Sequence, residues 1–447
     1  QWSEYDALGR PTSTSADSEL GLLTTITEYL SGLRTRTTNP RGQKTITSHQ
    51  AFDTPNYDAP TRIEHPAGAF TEIARDRFGK PTSIKRRNAD SSVAITRSYV
   101  YDGQQQLCKS VEPESGATVM AYDAAGNLAW SAAGLALTAA DGCETATAQA
   151  SGRRVDRTYD SRNRLNQLSF PDGNGNQTWS YTAAGKPSQV VTENAGSRQV
   201  INTYAYNRRG LITGETMQQQ GVGIWTMGYG YDANAAMASL QYPSGLQVTL
   251  APNALGQPTQ VGNYASAVRY YPNGGLRSFT YGNGVTHSMT QNARALPARA
   301  IDAGVLDNTI TYDANGNVAT VTDAVEASKS RQMQYDALDR LTQATSAAFG
   351  GGGVFRYTYD VLDNIRSAKL GTIKQHNYYY DARNRMTTVN RDDGSAIMGL
   401  DYDVQGNLAK KNGEVFRFDY GNRLRDGAGK ELYAYDAHGR RVGNYST

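Results

Sequence analysis

Apolar and polar positions alternate singly along most of the chain. Leu341-Thr342-Gln343-Ala344-Thr345 and Val318-Ala319-Thr320-Val321-Thr322 are examples, in which Ala344 falls on the face opposite Gln343 and Thr345, and Val321 on the face opposite Thr320 and Thr322. A period of two over five to eight residues predicts half-buried β-strands. No apolar pattern keeps a helical period for more than two turns. The strands end at corners, and the corners repeat.

The commonest corner begins with Tyr-Asp. It occurs at Tyr5-Asp6, Tyr122-Asp123, Tyr159-Asp160, Tyr312-Asp313, Tyr335-Asp336, Tyr359-Asp360, Tyr380-Asp381, Tyr402-Asp403 and Tyr435-Asp436, and also at Tyr101 and Tyr231. The aspartate accepts hydrogen bonds from backbone N–H groups farther along a turn. The fifth position is Gly9, Gly126, Gly316, Gly406 or Gly439, and in other copies Asn163, Asp339, Asp363 or Asn384. These residue types adopt positive φ most readily. A type I turn followed by such a residue closes a β-hairpin with a bulge. Gln105 and Ala235 break the rule and predict a different turn or local strain. Weaker copies include Phe52-Asp53-Thr54-Pro55-Asn56, Arg75-Asp76-Arg77-Phe78-Gly79, Tyr181-Thr182-Ala183-Ala184-Gly185, Tyr206-Asn207-Arg208-Arg209-Gly210 and Phe418-Asp419-Tyr420-Gly421-Asn422.

A second turn lies between many of the first, as in Pro66-Ala67-Gly68, Pro171-Asp172-Gly173, Pro243-Ser244-Gly245, Gly282-Asn283-Gly284 and Asp392-Asp393-Gly394. One unit is therefore strand, turn, strand, turn. From Tyr312 the steps to Tyr335, Tyr359, Tyr380 and Tyr402 are 23, 24, 21 and 22 residues. A period of this size marks an array in which each unit contacts mainly its neighbours. Hairpins in series predict one long antiparallel ribbon, with tyrosine rings stacked from unit to unit. About 36 strands at roughly 4.8 Å each make it about 170 Å long. A sheet of that length twists and must curl, so the expected fold is all-β, a spiralling sheet curled into an open or closed hollow shell. Interruptions of the pattern at residues 12–48, 132–153, 214–225 and 296–308 are expected to be insertions, where binding tends to reside.

Composition fits this reading. Leu, Ile, Val and Phe supply about one residue in six, a scarcity typical of disorder when the net charge is high. Here the formal charge is only +3, and 29 tyrosines with 45 glycines restore apolar mass and turn capacity. The near balance of charge argues against nucleic acid or an anionic membrane as partner, and no apolar run is long enough to span a bilayer. The 447 residues begin within a repeat, at Trp2-Ser3-Glu4-Tyr5. We read residues 1–447 as a single segment of a longer array.

The pattern Tyr-Asp-x-x-Gly-Arg/Asn-Leu, with an upstream Pro-Asp-Gly such as Pro171-Asp172-Gly173, resembles the YD-repeat, or Rhs-repeat, family of bacterial proteins over nearly the whole chain. Relatives of that family include the C component of insecticidal toxin complexes and the extracellular domain of teneurins. The resemblance implies a hollow shell of spiralling hairpins, secreted or held at the cell surface. Its partners would be an enclosed C-terminal toxin or other segments of the same polypeptide, together with a secretion-system or cell-surface partner. Family members plug the shell with Asp-Pro-x-Gly motifs and self-cleave through nearby aspartates. This chain contains no Asp-Pro dipeptide. Cleavage apparatus and cargo are therefore expected outside it, and the expected role is a non-catalytic wall. A surface adhesion or carbohydrate-binding scaffold is the alternative.

No residues are assigned to catalysis, a cofactor or a metal. Asp172-Gly173-Asn174-Gly175-Asn176 loosely matches a calcium loop, but Gln177 stands where such a loop needs glycine and Ala183 where it needs a carboxylate. His49, His65, His287, His376 and His438 show no metal-ligand spacing. The Gly350–Gly353 run lacks the Lys-Ser/Thr of a phosphate loop. Cys108 and Cys143, the only cysteines, bracket residues 132–142 of one interruption, and an exported protein permits a disulfide between them. Two unrelated thiols are the other reading.

Overall fold

The computed structural model describes residues 1–51 and 56–446. The degenerate corner at Phe52–Asn56 lies, but for Asn56, outside the described residues. Nearly all of the chain's regular structure is strand. Short antiparallel strands follow one another from Trp2–Tyr5 to Arg441–Ser446, each paired with the next along most of the sequence. The single long ribbon expected from the repeat is instead two sheets, of 21 and 18 strands. The break falls between the strands Gln247–Thr249 and Ala265–Tyr270. There Pro252 and Pro258 form only an isolated bridge, because proline lacks the N–H that a ladder requires.

Two compact units make up the chain: residues 1–98 with 267–397, and residues 99–266 with 398–447. In the first unit, the strands between Leu306 and Asn390 show what the alternation achieves. Cross-strand pairing aligns Ile310 with Val321, Met333 with Ala344, Ala344 with Phe355, and Tyr378 with Val389 on one face. Thr311 with Thr320, Gln332 with Thr345, and Ser367 with Asn377 occupy the other. In the second unit the best-formed core joins Ala117, Val119, Trp130, Ala132 and Leu135 to Ala148 of the helix Thr145–Ala150.

The corners have one geometry. At Tyr380, the Asp381 N–H donates to the Arg385 carbonyl (2.9 Å) and the Asn384 N–H to the Asp381 carbonyl (3.0 Å). Asn384 has φ 63°, and the register slips between Tyr379 and Tyr380, which is the bulge. At Gln105 and Ala235 either a different turn or local strain was expected, and the second is found: both take positive φ, 64° and 68°, and close the same hydrogen bonds. The aspartate and the ladder fix the corner, and the misfit persists as strain at one residue.

Three of the four expected insertions are ordinary strands. Residues 12–48 lie in the strands Pro11–Ser18, Gly21–Leu30, Arg34–Thr38 and Lys44–His49. Residues 214–225 and 296–308 are hairpins too, since alternation alone makes strands and needs no Tyr-Asp corner. In the fourth, residues 132–153, the strand Leu128–Leu135 continues to its end and the chain then leaves the sheet, through the short turn Ala139–Asp141 and the helix.

Candidate functional site

The corner aspartate is the hub of each unit. Asp160 Oδ1 accepts from the Arg162 and Arg164 backbone N–H groups (2.8 and 3.1 Å), and its Oδ2 accepts from Arg164 Nε (2.7 Å). The Arg164 guanidinium holds the Asp160 carboxyl at about 2. Asn performs the same task where it replaces arginine. Asn127, Asn317, Asn364 and Asn407 each donate Nδ2 to Oδ2 of their own corner aspartate at 2.9–3.0 Å. The carboxylates the sequence drew attention to are thus occupied within their own turns.

Two links join neighbouring units, and the sequence reading missed both. The first replaces the expected ring stacking. The motif tyrosine donates its hydroxyl to the carbonyl six residues past the preceding motif aromatic: Tyr159 to Leu128 (3.0 Å), Tyr335 to Val318 (2.9 Å), Tyr359 to Leu341 (2.8 Å), Tyr435 to Leu424 (2.6 Å). The second uses the fifth position. Asn127 donates to Asn163, Asn317 to Asp339, Arg340 to Asp363, Asn364 to Asn384, and Asn407 to Asn422. In each pair the donor is position six of one corner and the acceptor position five of the next. The alternation of Gly with Asn or Asp at position five was the available signal.

A denser site lies in the second unit. Here the corner 435–440 is received by buried amides on the strands Gln177–Tyr181, Pro187–Asn194 and Arg198–Tyr206. Asn194 Nδ2 donates to the Tyr435 carbonyl (2.9 Å), and its Oδ1 accepts from the Tyr435 N–H (2.9 Å), so one side chain supplies both halves of a strand pairing. Asn202 Oδ1 accepts from Ala437 N–H (3.2 Å), and Gln177 Nε2 donates to the Ala437 carbonyl (3.1 Å). Asn202 and Asp436 are both fully buried. Arg440 bridges Asp436 and Glu215, and the Glu215 carboxylate pushes its guanidinium further above its ordinary value. Tyr204, raised by burial, shares a 2.6 Å hydrogen bond with His438 Nε2. These amides meet backbone N–H and C=O groups of Tyr435 and Ala437, as the burial of polar groups demands.

The remaining candidates resolve simply. Asp172 Oδ1 accepts from Asn174 N–H (3.0 Å), a local turn. Asp392 takes Lys369 and Asn377 as donors, and Asp393 caps Ser395. Gly350–Gly353 is a loop in which all four residues have positive φ. No group of three His, Cys, Asp or Glu is placed to hold a metal among the described residues. Cys108 and Cys143 are joined as a disulfide, with Cα atoms 5.4 Å apart. Beside it the fully buried Lys109 donates Nζ to Glu144 (2.9 Å) and to the Thr138 carbonyl. Among the described residues no helix is long and apolar enough to cross a membrane.

Residues 312–348 match the RHS Repeat family. No curated protein matches the chain. Among solved structures it is similar to TcdB2-TccC3-Cdc42, with a TM-score of 0.69 and 15% identity over 99% of this chain and 26% of that one. It is also similar to the Photorhabdus luminescens Tc holotoxin pore carrying a mutant TccC3, with a TM-score of 0.71 and 14% identity over 99% and 25%. At such identity the likeness establishes the fold, and the chain spans about a quarter of the length of those chains. The matched RHS repeat contains the corners at Tyr312 and Tyr335, and the same corner recurs along the chain from Tyr5 to Tyr435.

Proposed function

We propose that the chain is a non-catalytic wall segment of an exported RHS-type shell, which encloses or presents a C-terminal toxin carried by a longer polypeptide. The observation that carries this reading is that 99% of the chain follows the fold of a TccC3-containing assembly. The chemistry of the corners supports it, since their carboxylates hold turns and units together. Secretion or display at the cell surface, contact with the enclosed segment, and contact with a secretion-system or cell-surface partner follow from the same reading. Residues 1–447 serve as one stretch of wall within it.

Small-angle scattering on the purified chain tests the proposal. A compact globule of this length has a radius of gyration of about 22 Å. A wall around a cavity requires a clearly larger value and a distance distribution shifted to long vectors. A radius at or below that of the globule would overturn the shell.

A further inference from the structure

The first unit joins two stretches of chain, residues 1–98 and 267–397, that belong to different sheets. Among the described residues no β-ladder links the two stretches, and the cluster of buried apolar side chains lies in the second unit. The stretches meet at their turns, through charge. Arg294, in the corner after Gln291, pairs with Glu19. Arg41 lies in the turn after Thr38, which closes with the same backbone hydrogen bonds as the Tyr-Asp corners. Its guanidinium reaches Asp313 (3.4 Å) and Asp339 (2.5 Å) and donates to the Tyr335 and Asp336 carbonyls (3.1 and 3.0 Å). Its backbone N–H donates to Asn315 Oδ1 (3.3 Å). Arg86 pairs with Asp363 at 2.6 Å. Glu19, Arg41 and Arg86 thus meet, in the same chain order, the corners at Gln291, at Tyr312 with Tyr335, and at Tyr359.

Position five of the corner marks this row. Within a sheet that position accepts a hydrogen bond from the preceding unit, and asparagine suffices for it at Asn163 and Asn384. Among the Tyr-Asp corners aspartate stands there only at Asp339 and Asp363. Both face an arginine of the other sheet. Within its own sheet Asp339 takes the amides of Asn315 and Asn317, which need no negative charge, so Arg41 is what answers its charge. Asp363 gives Oδ1 to Arg340 of its own sheet and Oδ2 to Arg86 of the other. The Asp339 and Asp363 side chains remain 38% and 46% exposed. Salt therefore reaches these pairs, whereas ladder hydrogen bonds and packed faces do not depend on it.

We propose that these contacts form a releasable ionic seam, with Asp339 and Asp363 on its acidic side, along which the two sheets of the first unit part while each stays folded. The seam is a property of this unit by itself and holds whatever a wall built from it encloses.

Pulsed electron paramagnetic resonance on the whole chain tests this. Neither native cysteine is free among the described residues, so Lys44→Cys and Gln334→Cys, both at exposed strand positions outside the contacts above, take the two spin labels. One short, narrow distance is expected in about 0.1 M sodium chloride, where the screening length is about 10 Å. In about 1 M, where it is about 3 Å, the distance should broaden and lengthen while the far-UV circular dichroism stays unchanged. The expected lengthening is about 10 Å or more, the depth of one sheet layer. Asp339→Asn with Asp363→Asn keeps a residue that tolerates positive φ and keeps the in-sheet acceptor, and so removes charge alone. That variant should be open already in about 0.1 M salt. Arg41→Gln, which leaves both corners untouched, should do the same. A distance that salt does not change, an unaltered salt response in both variants, or a lengthening that runs parallel to loss of the strand signal would each overturn the seam.

Discussion

Position five of the corner has two jobs, and glycine does only one of them. Gly, Asn and Asp all admit the left-handed backbone, but only Asn and Asp offer an acceptor to the preceding unit. Arg340 uses Asp363 in this way at 2.9 Å. At the corner after Tyr181 the fifth residue is Gly185, with φ 83°. There Arg164 Nη1 comes to 3.5 Å from where a Cβ would stand, and it is buried without a hydrogen-bond partner among the described residues. Gly185→Asp should supply that partner, whereas Gly185→Ala adds only the strain of positive φ. We expect the aspartate variant to be more stable than the alanine variant by about 0.5–1 kcal/mol, the range of a well-placed exposed ion pair. Urea titration of the two variants, read by hydrogen exchange at the flanking strands, decides it. Equal stability would mean that the fifth position serves geometry alone.

Among the elements, the stretch that leaves the sheet, residues 136–153, is held unlike any hairpin. Adjacent residues of the strand Leu107–Glu112 fasten adjacent residues beyond it: Cys108 to Cys143, and Lys109 to Glu144. Glu144 has φ 52° at the start of the helix, a backbone state that persists only where its surroundings enforce it. Ala148 then packs on Trp130 and its neighbours. A cross-link over 35 residues stabilises by about 4 kcal/mol in the chain-entropy model. Reduction should therefore loosen this stretch before the sheets, and trypsin should cut after Arg153 in the reduced chain but not in the oxidised one. Identical digestion patterns would show that the ion pair and Ala148 suffice. The amide cradle belongs to the same scale and explains what the sequence concealed. Each corner was legible because its bonds close within five residues, as between Asp160 and Arg164. Asn194 and Tyr435 lie 241 residues apart. Nothing local separates that asparagine from one that caps a turn, nor residues 12–48 from a true insertion, because alternation continues there without the motif.

At the scale of the whole molecule, small local effects sum, since an array's stability is roughly that of its units and their junctions. Four corner carboxyls, Asp6, Asp123, Asp160 and Asp381, shift downward. Asp6 lies below its ordinary 3.8, chiefly through Arg10, and Asp123 through Asn127. Asp381 is lowered as well: burial alone would raise it, but the N–H and guanidinium of Arg385 outweigh that effect. Asp160 reaches about 2. In the unfolded chain these groups take up protons near 3.8 while the folded chain resists. Their contribution is therefore complete above that pH and drains away as the pH falls towards about 2. The linking tyrosines run in the opposite direction. Burial raises Tyr122, Tyr181, Tyr206, Tyr335 and Tyr359 above 10.0. Each must keep its proton to donate to the preceding unit, so the stability they confer is present below 10.0 and lost as the pH rises through their folded values. The melting temperature should thus hold a broad plateau from about pH 5 to 9 and fall on both sides, the acid limb spreading over the interval between the unfolded and folded carboxyl values. Replacing Tyr206, Tyr335 and Tyr359 together by phenylalanine should shrink the alkaline limb and leave the acid limb in place. A triple variant that loses both limbs alike would show that the hydroxyl links and the aspartate corners are not the separable devices their geometry describes.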